Sequence, residues 1–187
     1  MWAARAYVGP WSEALSSDSL QSNRQPEGTS IQRAALQEPW QEAEWQRLWL
    51  AIEGKRWKTL ALIPAGKGAS LRFTPLVAMI LSRTGMVHLG SPVQVADATS
   101  VPLNQLTAFF GEVERSTQNG ERLLIALPPA DDHAVTVSIA QGADAALLCI
   151  LNERMSSSAA KRTVKLIGPS RFLGSAIFHP NLIESIK

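Results

Sequence analysis

The chain has 187 residues, one cysteine and a formal net charge of +2, so it is long enough for one domain with its own core, cannot form an internal disulfide and lacks the basic excess of a nucleic-acid-binding protein. No apolar run reaches the roughly 18–20 residues that span a bilayer, and the first residues lack the apolar segment of a signal peptide. We therefore expect a cytoplasmic protein with no nucleic-acid partner.

The first 36 residues differ in composition from the rest of the chain. Residues 1–36 are rich in Ser and Gln and show no sustained apolar periodicity. Such a segment cannot bury enough apolar surface to offset the entropy lost on ordering. We therefore predict a flexible N-terminal tail over residues 1–36 and one α/β domain over residues 37–187.

The domain is predicted to open with an aromatic helix. Pro39 suits a first helical position and Gly54 suits a C-terminal stop. An apolar stripe with helical spacing lies between them, formed by Trp45, Leu48, Trp49 and Ile52. Two interpretations stay open for the tryptophans. They anchor the helix to the core, or, together with Arg47, they form an exposed stripe that binds a partner protein.

Apolar segments alternate with helical segments after Gly54. The predicted strands cover residues 57–63, 86–89, 123–127, 145–151 and 171–178. The predicted helices cover residues 74–83, 103–117, 134–141 and 156–166, and residues 97–102 are predicted to be a loop. Strands that are apolar on both faces and alternate with helices indicate a mainly parallel sheet covered on both sides. We therefore predict a three-layer α/β fold.

The loop after the first strand is the expected place for chemistry, because the functional crevice of an α/β sheet lies at the carboxyl ends of its strands. Glycines in such a loop let backbone amides approach a phosphate, and the next helix adds its partial positive charge. The loop contains Gly66, Lys67, Gly68 and Arg72, and Thr74 follows at the start of the helix. These residues form a candidate anion site. The alternative is that Lys67 and Arg72 are solvated loop cations.

Residues 67–73 are similar to the loop K-G-G-x-G-K-S/T of the partition and division-site ATPases and, in looser form, of the bacterial tyrosine kinases of polysaccharide export. Residues 38–180 also resemble these P-loop families in the order of their strands and helices. The two prolines after the third strand are similar to the family's D-T-P-P sequence. Glu44 and Arg47 match the first two positions of E-x-x-R-x-x-R, which the kinases use in self-association, and Leu50 stands at the third.

The chain departs from these families at the positions that carry their chemistry. The resemblance places Arg72 at the phosphate-binding lysine, Phe73 at the hydroxyl residue that holds Mg²⁺, and Ala126 at the Walker B aspartate. The predicted second strand, residues 86–89, carries none of the carboxylates that end the family's second strand. Magnesium-dependent phosphoryl transfer needs a held metal and neutralised charge. We therefore expect no bound cofactor and no catalytic residue.

The resemblance implies a non-catalytic regulator or scaffold, a pseudo-ATPase or pseudokinase, in exopolysaccharide synthesis and export. It would bind a protein partner, such as a membrane-embedded export component that recruits it to the inner membrane, and it could form a homodimer. The alternative is an active nucleotide-binding switch that uses ATP and Mg²⁺, with a carboxylate from Asp97, Asp131 or Asp132. A third interpretation is an unrelated α/β protein whose loop is similar by chance.

Overall fold

The protein folds as a parallel sheet between two layers of helices. A computed structural model describes residues 42–66, 71–90, 93–152 and 157–179. The strands are β1 (Thr59–Pro64), β2 (Gln94–Asp97), β3 (Leu123–Ala126), β4 (Ala145–Leu151) and β5 (Phe172–Phe178). The helices are α1 (Ala43–Glu53), α2 (Phe73–Leu89), α3 (Leu106–Gln118), α4 (Ala134–Gly142) and α5 (Ser157–Ile167), and short 3₁₀ turns cover Leu103–Gln105 and Pro169–Arg171.

The five strands run in the order β2-β3-β1-β4-β5. Every neighbouring pair is parallel. Strand β1 is central, and its Ala61 pairs with Ile125 of β3 on one side and with Ala146 of β4 on the other. All six residues of β1 are buried, because helices cover both faces of the sheet.

Two apolar clusters form the core, one on each face of the sheet. On one face, α1 and α2 pack against alternate strand residues such as Leu60 and Leu62. On the other face, α3, α4 and α5 pack against Ala61 and Ile63. Because successive strand residues point to opposite faces, a continuous apolar strand supplies both clusters. The predicted three-layer α/β fold is therefore confirmed.

Helix α1 packs against α2 through a tryptophan ring that lies on a glycine. Trp49 is fully buried, and its ring lies against Gly85 in the interior of α2. A Cβ atom at Gly85 would come within 2.6 Å of Cη2 of Trp49. Trp57 packs edge-on to Trp49 at a centroid distance of 6.3 Å, and its Nε1 donates to the carbonyl of Ile52 at 2.8 Å.

Asp144 joins the beginnings of β1 and β4. Its Oδ2 accepts hydrogen bonds from the backbone amides of Lys58 at 2.8 Å and Thr59 at 2.9 Å. The Thr59 hydroxyl also donates to this oxygen and accepts from the Asp144 amide. Burial alone would raise the pKa of Asp144, but these hydrogen bonds and the charge of Lys58 outweigh it and lower the pKa. The carboxylate therefore serves as a structural clamp.

Most of the predicted elements are present with small shifts at their ends. The strands predicted at residues 57–63, 123–127, 145–151 and 171–178 correspond to β1, β3, β4 and β5. The four predicted helices correspond to α2, α3, α4 and α5, although the helix predicted at residues 103–117 begins with a 3₁₀ turn. The tail predicted over residues 1–36 lies outside the described residues.

The predicted second strand is wrong. Residues 86–89 form the last turn of α2, which ends at Leu89 and is followed by Gly90 with a φ of 67°. Gly85 is therefore not a strand boundary but the helical position on which Trp49 packs. The second strand is β2, Gln94–Asp97, and Asp97 ends this strand instead of starting a loop.

Among the described residues, no helix has both the length and the apolar character needed to cross a membrane.

The contact between Trp49 and Gly85 predicts opposite effects for two glycine substitutions in helices. Gly85→Ala should destabilise the protein by about 1–3 kcal/mol, because the methyl group would displace the indole ring. Gly111→Ala is the matched control, since Gly111 lies in α3 with nothing within 4 Å of its added Cβ. There the usual helix preference should stabilise by about 0.5–1 kcal/mol. Urea unfolding measures both. Equal stabilisation by the two substitutions would contradict the packing of Trp49.

Candidate functional site

The carboxyl-terminal edge of the sheet carries the predicted site, because all five strands end on this side. The structure describes part of the loop after β1, namely Ala65, Gly66, Leu71 and Arg72. Lys67 and Gly68 lie outside the described residues. Arg72 is exposed immediately before α2, and its carbonyl accepts the Leu76 amide at 3.1 Å.

The first turn of this loop is held under α5. Gly66 has a φ of 79°, a conformation that favours glycine. A Cβ atom at this position would lie 2.5 Å from Cβ of Ala159, so the backbone approaches α5 too closely for a side chain. The Gly66 amide donates to the hydroxyl of Thr163 at 3.3 Å. This amide therefore points at a helix and not at an open phosphate cradle.

The first turn of α2 is directed into the core. Phe73 is fully buried and packs edge-on against Phe178, with ring centroids 5.5 Å apart. Thr74 is also buried, and its hydroxyl donates to the carbonyl of Leu127 at 2.7 Å. Of the positions considered for metal binding, Phe73 offers no oxygen, and the oxygen of Thr74 holds the end of β3 against α2.

The end of β3 also lacks a carboxylate at the position expected from the resemblance. Ala126 is fully buried, and its carbonyl accepts the Ala98 amide at 2.9 Å. The acidic group nearest in the chain is Asp131, in the turn between β3 and α4. Its side chain is 5% exposed, and Oδ2 lies 3.7 Å from Nε of Arg162 on α5. This oxygen accepts no hydrogen bond within the described chain.

Asp97, which was predicted to begin a loop, is a carboxylate that the structure places at the end of a strand. It lies at the carboxyl end of β2 and pairs in register with Ala126. Its Oδ1 accepts hydrogen bonds from the backbone amide of Thr99 at 2.9 Å and from the Thr99 hydroxyl at 2.7 Å. The second strand therefore does end in a carboxylate, contrary to the prediction. An Asp followed two residues later by Thr, after an alternating strand, is the turn signal that could have revealed it.

Three carboxylates thus lie near this edge: Asp97, and Asp131 with Asp132 in the turn between β3 and α4. Across the described ranges, no group of three or more His, Cys, Asp or Glu side chains is arranged to hold a metal ion. Cys149, on β4, is fully buried, and burial raises the pKa of its thiol to about 12. A thiol with this pKa is uncharged near neutral pH and is a poor nucleophile. Cys149 is therefore a core residue.

Helix α1 presents a different surface from the one predicted. Trp45 and Trp49 are buried, at 6% and 0% exposure, so they anchor the helix to the core. Trp45 packs on Phe178 at a centroid distance of 5.5 Å. The exposed stripe of tryptophans that was the other interpretation is not present. The outward side of α1 instead exposes three residues at a spacing of three: Glu44, Arg47 and Leu50.

Comparison with known proteins gives no family for this chain. No protein-family model matches it, and no curated protein matches it. The resemblance to the P-loop families therefore rests on the order of its elements and on the motifs described above.

The hydrogen bond from Thr74 to Leu127 predicts a difference between two substitutions. Thr74→Val keeps the shape but removes the donor, which leaves a buried carbonyl without a partner, so we expect a loss of about 1–3 kcal/mol. Thr74→Ser keeps the donor and removes one methyl group, and we expect a loss of about 0.8 kcal/mol or less. Urea unfolding of both variants measures the difference. A Thr74→Val protein at least as stable as Thr74→Ser would show that the hydroxyl has no structural role.

Proposed function

We propose that this protein is a non-catalytic relative of the P-loop tyrosine kinases and partition ATPases that acts by binding other proteins. One observation carries the proposal. The first turn of α2, where a P-loop protein holds its metal, is built into the core through Phe73 and the Thr74 hydroxyl. Side chains at the helix start that are buried in the core are not available to bind a nucleotide.

The coordination needs of magnesium support this proposal. Mg²⁺ requires an octahedral set of oxygens at about 2.0–2.1 Å. In P-loop enzymes a hydroxyl at the helix start and a carboxylate at the end of a neighbouring strand supply part of this set. Here Phe73 and Ala126 occupy those two positions, and both are fully buried. Neither side chain carries an oxygen.

The loop itself supports the same conclusion. A phosphate cradle depends on several backbone amides that converge on one point. The Gly66 amide donates to Thr163, and the close approach of Ala159 leaves no room for a ligand atom between this glycine and α5. The cradle therefore lacks an amide at its beginning.

Binding to a protein partner is supported by the outward side of α1. Glu44, Arg47 and Leu50 are exposed there, and Leu50 is 56% exposed. Arginine is enriched at protein interfaces and in their energetic hot spots, and the exposed Leu50 adds apolar area beside it. We propose that this stripe contacts a second copy of the chain or a membrane-embedded component of exopolysaccharide export, which would recruit the protein to the inner membrane. The pathway in this proposal comes from the resemblance alone.

A second candidate is a nucleotide-binding switch of the partition and division-site type, and Asp97 is the observation that favours it. This carboxylate ends the strand beside β3, where it could order a water on a metal ion, and Arg72 would replace the phosphate-binding lysine. Asp131, whose side chain is 5% exposed, also lies near this edge, but it faces Arg162.

Calorimetric titration with ATP and Mg²⁺, repeated with ADP, separates the two functions. For the non-catalytic protein we expect no heat of binding at millimolar nucleotide. A switch would bind at micromolar nucleotide, and binding would be lost in Arg72→Ala and weakened in Asp97→Asn. Arg83→Ala is the control, since Arg83 is an exposed arginine further along α2. Micromolar binding lost in Arg72→Ala but retained in Arg83→Ala would overturn the non-catalytic proposal.

Sedimentation velocity at several concentrations tests the surface on α1. We expect the wild-type chain to self-associate at concentrations on the order of tens of micromolar. Arg47→Glu should raise the dissociation constant of the dimer by about tenfold and so favour the monomer. Arg56→Glu is the matched control, because Arg56 is exposed beyond the end of α1 and outside the stripe. A wild-type protein that stays monomeric would exclude the homodimer, and the proposed partner would then be a different protein. Equal effects of both variants would indicate a general charge effect and not an interface.

A further inference from the structure

The amino-terminal edge of the sheet, opposite the candidate site, carries a shallow basic depression. The loop between α1 and β1 forms one side, and the residue before β3 forms the other. The residues lining the depression are Glu53, Lys55, Arg56, Trp57, Lys58, Arg122 and Asp144. Five of these residues lie together in the stretch 53–58, whereas Arg122 and Asp144 come from distant parts of the chain.

Arg122 is the central feature of this depression. Its guanidinium carbon lies 3.9 Å from the centroid of the Trp57 ring and 5.8 Å from that of Trp49. A cation this close to an indole face is favoured. Nε of Arg122 is buried and has no hydrogen-bond partner in the part of the chain that the structure describes. A buried arginine nitrogen without a hydrogen-bond partner is unusual.

Among the described residues, no carboxylate forms an ion pair that would compensate the desolvation of Arg122. Burial lowers the pKa of Arg122, and the charge of Glu53 acts in the opposite direction. Within the described ranges, no carboxylate oxygen lies within 4.0 Å of the Arg122 side chain. Arginine stays protonated even so. The group is therefore a fixed, partly dehydrated cation with unused hydrogen-bonding capacity.

The charged side chains around Arg122 also carry a net positive charge. Lys55, Arg56 and Lys58 are exposed, and none has an ion pair among the residues described. Of the two carboxylates, Asp144 already accepts the amides of Lys58 and Thr59. Four cations face two carboxylates in this depression, which leaves a surplus of two positive charges.

We propose that this depression binds a terminal phosphate group, either free or as a monoester, through Arg122, with Lys55, Arg56 and Lys58 around it. The planar guanidinium fork matches two phosphate oxygens, and the surplus of two charges matches a phosphate monoester, which carries about −1.5 to −2 at pH 7. A carboxylate would balance only half of the surplus. This proposal is independent of the function proposed for the opposite edge.

The phosphate group could be free or carried on a lipid, and the two arms of the experiment distinguish these sources. In the first arm, inorganic phosphate is titrated at constant ionic strength, with tryptophan fluorescence as the readout, because Trp57 lies directly under Arg122. In the second arm, flotation is measured with phosphatidylcholine vesicles, with and without phosphatidic acid. Binding in either arm is expected in the wild-type chain.

Variants then tie the binding to the depression. Arg122→Lys keeps the charge and loses the planar fork, and we expect it to weaken binding by about tenfold. The double variant Lys55→Gln and Lys58→Gln alters only exposed side chains, so it keeps the proposal testable if Arg122→Lys fails to fold. Arg115→Gln is the control, because Arg115 is exposed on the last turn of α3 and does not line the depression.

Saturable binding that is weakened by the variants in the depression and unchanged in Arg115→Gln would support the proposal. Binding confined to inorganic phosphate would identify a free anion as the ligand, and binding confined to phosphatidic acid vesicles would identify a lipid headgroup. Absence of binding in both arms would overturn the proposal. Equal weakening by Arg115→Gln would also overturn it, since that result indicates only a diffuse positive surface.

Discussion

The complete burial of β1 is the constraint on which the rest of the structure depends. Its backbone is paired on both sides, by β3 and β4, and all its side chains are covered. A strand in this position requires helices on both faces, because each face would otherwise expose apolar residues to water. The parallel direction of the neighbours then brings all the strand ends to one edge. Sheet, layers and candidate site therefore follow from the same central strand.

The two edges of the sheet have different physical characters. At the carboxyl edge, the groups that a P-loop protein would give to its ligand are used inward, as with Phe73, Thr74 and the Gly66 amide. At the amino edge, Arg122 remains without a hydrogen bond or ion pair among the described residues. Unused polar capacity inside a partly dry environment is costly. Unsatisfied polar atoms therefore lie at both edges, since Oδ2 of Asp131 at the carboxyl edge also has no hydrogen-bond partner among the described residues.

The sequence predicted what depends on local patterns and missed what depends on distant contacts. The apolar runs of β1, β3 and β4 are continuous and bounded by turn residues, so their position and the layered fold could be predicted. Strand β2 is short and half-exposed, while residues 86–89 are more apolar and follow a glycine. That glycine instead lies inside α2, where the ring of Trp49, from another helix, packs on it. No local rule reports such a contact.

The same dependence on distant contacts explains why parts of the functional sites were not predicted from the sequence. Asp97 was assigned to a loop once the strand had been misplaced, so its position beside Ala126 could not be recognised. The burial of Trp45 and Trp49 required knowing how much sheet α1 covers. The stack of Arg122 on Trp57 joins two segments far apart in the chain. Composition and spacing can name the residues that carry chemistry, but only the fold decides which of them meet.

The burial of Phe73 also has a consequence for how this chain could change over evolutionary time. Phe73 and Trp45 both pack on Phe178. A serine or threonine at position 73 would restore a hydroxyl at the start of α2, but it would also open a cavity in this aromatic group, where removal of a buried phenylalanine costs about 3–5 kcal/mol. That loss is comparable to much of a domain's total stability. A hydroxyl at position 73 would therefore require compensating changes elsewhere in the core before the substitution could persist.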